Sequence, residues 1–126
     1  MPVNVKVINP KDFVKLTATG TLDFTASVEA LNDTISLIKT PGEYEVLIDT
    51  RHAEVTLTIT QLYELGNAIA SHPAVYSSKI ALLAPMTEAE KAYFFETVAL
   101  NRGIRISAFT DFEAAINWLV MKESAG

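Results

Sequence analysis

Asp49, Thr50, Arg51 and His52 are the one place in this chain where a carboxylate, a hydroxyl, a guanidinium and an imidazole follow one another. A guanidinium beside an imidazole is suited to an anion, and a carboxylate close to an imidazole can move a proton. The four are therefore candidate binding residues. A simpler arrangement competes: Asp49 caps a loop and pairs with Arg51, and His52 is left in water. A little further on stand the hydroxyls of Thr58 and Thr60. Thr58 followed three residues later by Gln61 fits a capping box, and Thr60 fits a slightly later helix start. Either hydroxyl is also a candidate phosphoacceptor, since added negative charge at a helix N-terminus is electrostatically favoured. Tyr93, Phe94 and Phe95 are the third group. At ~100° per helical residue, three consecutive aromatics cannot all point into one core. They are a candidate contact surface: for a second copy, for a regulator, or as the lining of an apolar ligand pocket. One partly exposed aromatic is the plainer alternative.

No finished catalytic set accompanies these groups, and no enzymatic activity is expected. The chain has no cysteine and two histidines, His52 and His72, which leaves no thiolate site and argues against a structural zinc. His72 precedes Pro73 where a helix should end, and a cation there suits the helix dipole. Glu88, Glu90 and Glu96 are spread along a helix and read as a solvated face, so no metal is expected. The five glycines, Gly20, Gly42, Gly66, Gly103 and Gly126, are isolated. No phosphate-cradling or dinucleotide loop exists, and no cofactor is expected. Gly66 falls inside a helix and is expected where that helix approaches the sheet closely.

The elements that must position these residues follow from hydrophobic period. Val3, Val5 and Val7 alternate with Asn4 and Lys6, which predicts a half-buried strand. Asn9-Pro10-Lys11-Asp12 is a turn signal, and Phe13 to Thr19 is a second strand closed by Gly20. Phe24, Val28, Leu31, Ile35 and Ile38 then recur at helical spacing. Asp23 or Thr25 can cap that helix, and Thr40-Pro41-Gly42 stops it. Tyr44 to Asp49 is a buried strand, and a helix from about Thr60 to Ser71-His72-Pro73 buries Leu62, Leu65 and Ile69. Lys79 to Pro85 is a further strand. Thr87-Glu88-Ala89-Glu90 and Thr110-Asp111-Phe112-Glu113 read as capping boxes opening two more helices. Arg105 to Phe109 is the last strand, and Phe112, Ala115, Ile116 and Leu119 face inward from the final helix.

The order β-β-α-β-α-β-α-β-α predicts an α/β fold with a mostly parallel five-stranded sheet and its first strand antiparallel at the edge. Right-handed crossovers between neighbouring strands place the helices mainly on one face. Polar alternates such as Lys15, Thr17, Glu43, Glu45, Arg105 and Ser107 agree with a sheet shielded mostly from one side. Residues 1–126 read as a single domain, with 49% hydrophobic and 20% charged residues in the range of a globular protein. No stretch approaches the ~20 apolar residues of a membrane span, and Met1-Pro2-Val3 does not resemble a secretory start, so a cytoplasmic location is expected. A net charge of −5 with scattered basic residues argues against nucleic acid as a partner.

Two segments carry a family resemblance: Tyr44-Glu45-Val46-Leu47-Ile48-Asp49-Thr50-Arg51, and Phe109-Thr110-Asp111-Phe112-Glu113-Ala114-Ala115-Ile116-Asn117-Trp118-Leu119. A strand closing on Asp-x-Arg, and a last strand ending in Phe before an acidic residue, Glu-Ala-Ala and Trp-Leu, resemble the SpoIIAA-like (STAS/SEC14-like) domain family. The resemblance implies a β/α superhelix shared by anti-anti-sigma factors and lipid-carrying domains. It also implies a phospho-switch at the start of the second helix, normally within Asp-Ser-x-Gly. Here that stretch reads Thr56-Leu57-Thr58-Ile59-Thr60-Gln61-Leu62, without Asp, Ser or Gly, so the switch does not transfer directly. The expected function is a non-enzymatic regulatory or protein-interaction module, with another protein or a second copy as partner. The alternative is a carrier or sensor of an apolar small molecule or lipid.

Overall fold

The structure, a computed structural model, describes residues 3–8, 13–37 and 45–120. The turn expected at Asn9–Asp12 and the stop expected at Thr40–Gly42 lie outside these residues. The elements run β1 (Val3–Ile8), β2 (Phe13–Leu22), α1 (Phe24–Leu37), β3 (Glu45–Val55), α2 (Ile59–Ala70), β4 (Lys79–Leu83), α3 (Ala89–Leu100), β5 (Arg105–Phe109) and α4 (Phe112–Val120). Short 3-10 turns at Pro73–Ser77 and Met86–Glu88 lead into β4 and α3. The strands lie side by side in chain order, with β1 antiparallel to β2 and the pairs β2–β3, β3–β4 and β4–β5 parallel.

Chain-order stacking decides where α1, α2 and α3 go. Each links two neighbouring parallel strands, and right-handed crossovers carry all three to the same face. On that face Val46, Ile80 and Ile106 meet Leu62, Leu65 and Ile69 of α2 and Phe95 and Ala99 of α3, while Leu16 and Ala18 meet Ala30 of α1. The fourth helix departs from the single-face expectation. Leu47, Ala81 and Leu83 point the opposite way and pack on Ala115 and Leu119 of α4. α4 does not link two neighbouring parallel strands among the described residues, so the crossover rule does not bind it. It is free to cover the apolar centre of the other face. Burial of a full Leu side chain such as Leu47 or Leu83 contributes about 1.5–3 kcal/mol, enough to hold a short helix there.

Two strands run further than the sequence predicts. The second does not close at Gly20, and the third does not end at Asp49. Beyond Asp49, which pairs with Leu83 at the end of β4, β3 continues to Val55 along β2 alone, with Thr19 opposite His52 and Leu22 opposite Val55. A register shift between Thr17 and Thr19 and a φ of 77° at Gly20 bend this two-stranded extension. Glycine adopts that backbone without strain. The fourth strand is shorter than expected and stops at Leu83 rather than Pro85.

Candidate functional site

Period two in β3 divides the Asp49–His52 cluster between the two faces of the sheet. Asp49 and Arg51 point toward α4. Arg51 Nε and Nη2 donate to Asp49 Oδ1 and Oδ2 at 3.0 and 2.9 Å, and the Arg51 N–H donates to Oδ1 at 3.0 Å. Burial alone would raise the Asp49 pKa, since the residue is 2% exposed. The hydrogen bonds from Arg51, with the charges of Arg51 and Lys15, outweigh burial and hold the carboxyl below its ordinary value. The bond to Asp49 likewise raises the Arg51 pKa. The Arg51 guanidinium and the Lys15 ammonium lie 5.5 and 5.6 Å from the Phe112 ring at the start of α4. This arrangement fastens α4 to the sheet. The four candidate binding residues do not converge on one point: Asp49 pairs with Arg51, as in the simpler arrangement, His52 is exposed, and Thr50 faces the other side.

Thr50 is buried, and its hydroxyl donates to the Leu83 carbonyl at 3.0 Å. It belongs to a cavity of about 100 Å³ between the sheet and α1, α2 and α3. The wall is built from the strands and the residue after β4 (Leu16, Ala18, Leu22, Ile48, Val55, Leu82, Ala84) and from the helices and the approach to α2 (Leu31, Leu57, Leu62, Leu65, Ala92, Phe95). In open α/β sheets, ligand sites gather at this carboxyl end of the strands. The β2–β3 extension supplies the side of the cavity that the shorter β4 cannot. Ser27 and Thr50 are the uncharged polar residues in the lining, and Glu88 and Lys91 the charged ones. An apolar hollow with a few polar groups is the usual form of a small-molecule site. A smaller void deeper in the same layer shares Leu31, Ile48 and Phe95 with it.

The helix starts differ in part from the sequence expectation. Thr58 is the N-cap of α2: its hydroxyl accepts from Gln61 N–H at 3.1 Å, and Gln61 Oε1 accepts from Thr58 N–H at 3.0 Å. Thr60 lies in the first turn and is exposed. The capping box expected at Thr87 does not form, because a 3-10 turn occupies Met86–Glu88 and α3 begins at Ala89 without a side-chain cap. At α4 the cap is Asp111, whose Oδ2 accepts from Ala114 N–H at 2.9 Å, and not Thr110. Asp23 caps α1 through Ala26 N–H. Glu96 is not simply solvated, since its Oε1 accepts the Ala108 N–H on the outer strand β5.

Tyr93, Phe94 and Phe95 point in three directions. Tyr93 is 49% exposed, Phe94 packs against the core, and Phe95 is buried and lines the cavity. The trio therefore forms no common surface. Phe112, expected inward, is at the surface between its two cations. Ser27 and most of the cavity wall are not marked as site residues by the sequence pattern. A signal was present in the polar–apolar alternation of His52-Ala53-Glu54-Val55-Thr56-Leu57, which continues the strand past Asp49 and toward the cavity. Among the described residues no three His, Asp or Glu side chains gather as a metal site, and no helix is long and apolar enough to cross a membrane.

This architecture is the SpoIIAA-like α/β fold. The chain resembles a solved uncharacterized protein of the DUF3478 family with a SpoIIAA-like fold from Shewanella loihica PV-4. Identity is 16%, each chain is covered over 93% of its length, and the TM-score is 0.59. It also resembles the Bacillus cell fate determinant SpoIIAA in its phosphorylated form, at 16% identity and a TM-score of 0.50, with 92% of this chain and 98% of that one covered. No family model matches the chain. No curated protein matches it.

Proposed function

We propose that residues 1–126 form one non-enzymatic STAS-like module that acts as a sensor or carrier of a small apolar molecule. The observation that carries this reading is the cavity at the carboxyl ends of β2, β3 and β4. Its walls are almost entirely hydrocarbon, and its volume of about 100 Å³ far exceeds the ~10–15 Å³ that one water needs. Apolar hollows of this order can take up compact apolar guests. The Asp49–Arg51 pair, neutralised by its own hydrogen bonds, supports binding over catalysis.

Toluene is a suitable probe. At ten times Kd it should stabilise the protein by about 1.4 kcal/mol, seen as a saturable rise of about 4–6 °C in Tm. Ala92→Leu fills the cavity from α3 with a good helix former and should abolish that rise. A wild-type protein that shows no saturable shift, or a filled variant that responds equally, overturns the reading. Native mass spectrometry of freshly purified protein should in addition show a small co-purifying guest.

A protein-interaction role has its own observation. Ile59 and Tyr63, one turn apart on α2 and directly after the Thr58 cap, are 53% and 51% exposed. The Bacillus relative was solved in a phosphorylated form, which makes Thr58 and Thr60 the positions to inspect here. Mass spectrometry of protein from its native host tests modification. Sedimentation of wild type against Tyr63→Ser tests whether a second copy binds this face.

A further inference from the structure

Ser27 lies in the first turns of α1, is 7% exposed, and lines the cavity. A buried helical hydroxyl ordinarily donates to the carbonyl four residues back. Thr34, on the same helix and equally buried, does so by donating to Ala30 O at 2.8 Å. Ser27 does not. The Asp23 carbonyl accepts the Ser27 backbone N–H, and the Asp23 carboxylate is held by Ala26 N–H. Among the described residues, the Ser27 hydroxyl has no hydrogen-bond partner. No buried side-chain nitrogen or oxygen among the described residues lacks a partner, so this hydroxyl is not sealed into the core: it reaches accessible surface, and Ser27 lines the apolar hollow.

The second hydroxyl in the wall is constrained differently. Thr50 gives its proton to Leu83 O, so toward the cavity it offers lone pairs only. Ser27 has both a proton and lone pairs to offer. Resting on the pocket reading above, we infer that the cavity selects a compact apolar molecule carrying one uncharged hydroxyl group, with Ser27 as its hydrogen-bond partner and Thr50 as an additional acceptor. A hydroxyl can accept from Ser27 while donating to Thr50, which neither a carbonyl nor an ammonium can do. An ionised group would lose its hydration against the hydrocarbon side chains that make up most of the wall.

Phenol and toluene differ by a hydroxyl in place of a methyl and are the probes, titrated by calorimetry against wild type and Ser27→Ala. Alanine is the better helix former, so the variant should fold with an unchanged or higher Tm, checked by denaturation. Ser27→Ala should weaken phenol about fivefold to tenfold, the worth of one neutral hydrogen bond, and leave toluene within about twofold. If phenol changes by less than about twofold, or both probes weaken by the same factor, Ser27 is not the recognition group and the inference falls while the pocket reading stands. If toluene does not bind wild type at all, the pocket reading itself falls.

Discussion

Asp49 and Arg51 show how far a side-chain pair can be read from adjacency alone. Their pairing was legible, because residues two apart on a strand share a face and opposite charges there attract. Their remoteness from the cavity was not legible, since it depends on which face α4 occupies. Because the Asp49 pKa is lowered in the folded protein, its contribution to stability is present above the ordinary carboxylate pKa and is lost as pH falls through the folded value. Between about pH 5 and about pH 3 the urea midpoint of wild type should therefore fall more steeply than that of Asp49→Asn. At neutral pH that variant should lose about 1–3 kcal/mol, with solvent at the partly exposed guanidinium limiting the loss. Gly66 is the other position with a sharp expectation. A Cβ there would lie 2.5 Å from Val98 Cγ1, so the close approach is to α3 and not to the sheet. Gly66→Ala should cost about 1–3 kcal/mol by overpacking, and Val98→Ala in the same chain should restore part of it, measured by chemical denaturation.

Among the elements, helices and buried strands with a clean period were legible, and ends were not. The strand core of β4 and the limits of β5 follow from short apolar runs, whereas β2 and β3 were cut short at Gly20 and Asp49. Both positions look like stops in sequence. A bend that only glycine accepts freely, and a carboxylate neutralised inside the strand, allow the ladder to continue through them. Helix starts were equally ambiguous wherever two capping residues compete. The distinction at α2 is measurable: Thr58→Ala should cost about 1 kcal/mol, and Thr60→Ala no more than about 0.5 kcal/mol, because only Thr58 receives an N–H. Equal losses would place the cap elsewhere. Lys79 ties β4 to the last turn of α4 by donating to the Trp118 carbonyl and lying 4.5 Å from the Trp118 ring centroid. Sequence offered no sign of that contact, which joins residues 39 positions apart.

For the whole molecule, the parallel order of β2 to β5 was readable because repeated β-α steps with short connections permit few arrangements. The position of α4 was not, since it is not a crossover between two of the described strands. The cavity was the least legible feature. It draws on β2, α1, β3, α2, β4 and α3, and each contributing side chain looks in sequence like ordinary core. What marks the place is a mismatch of lengths, two long strands beside one short one, which leaves a hollow that the helices line without filling.

That mismatch also sets how tightly different parts of one strand hold their amide protons. Val46 to Asp49 lie between two neighbours, whereas His52 to Val55 hang from β2 alone. In heavy water, deuterium should enter the second stretch well before the first, and a bound guest should slow that entry most at Val55, whose side chain lines the cavity.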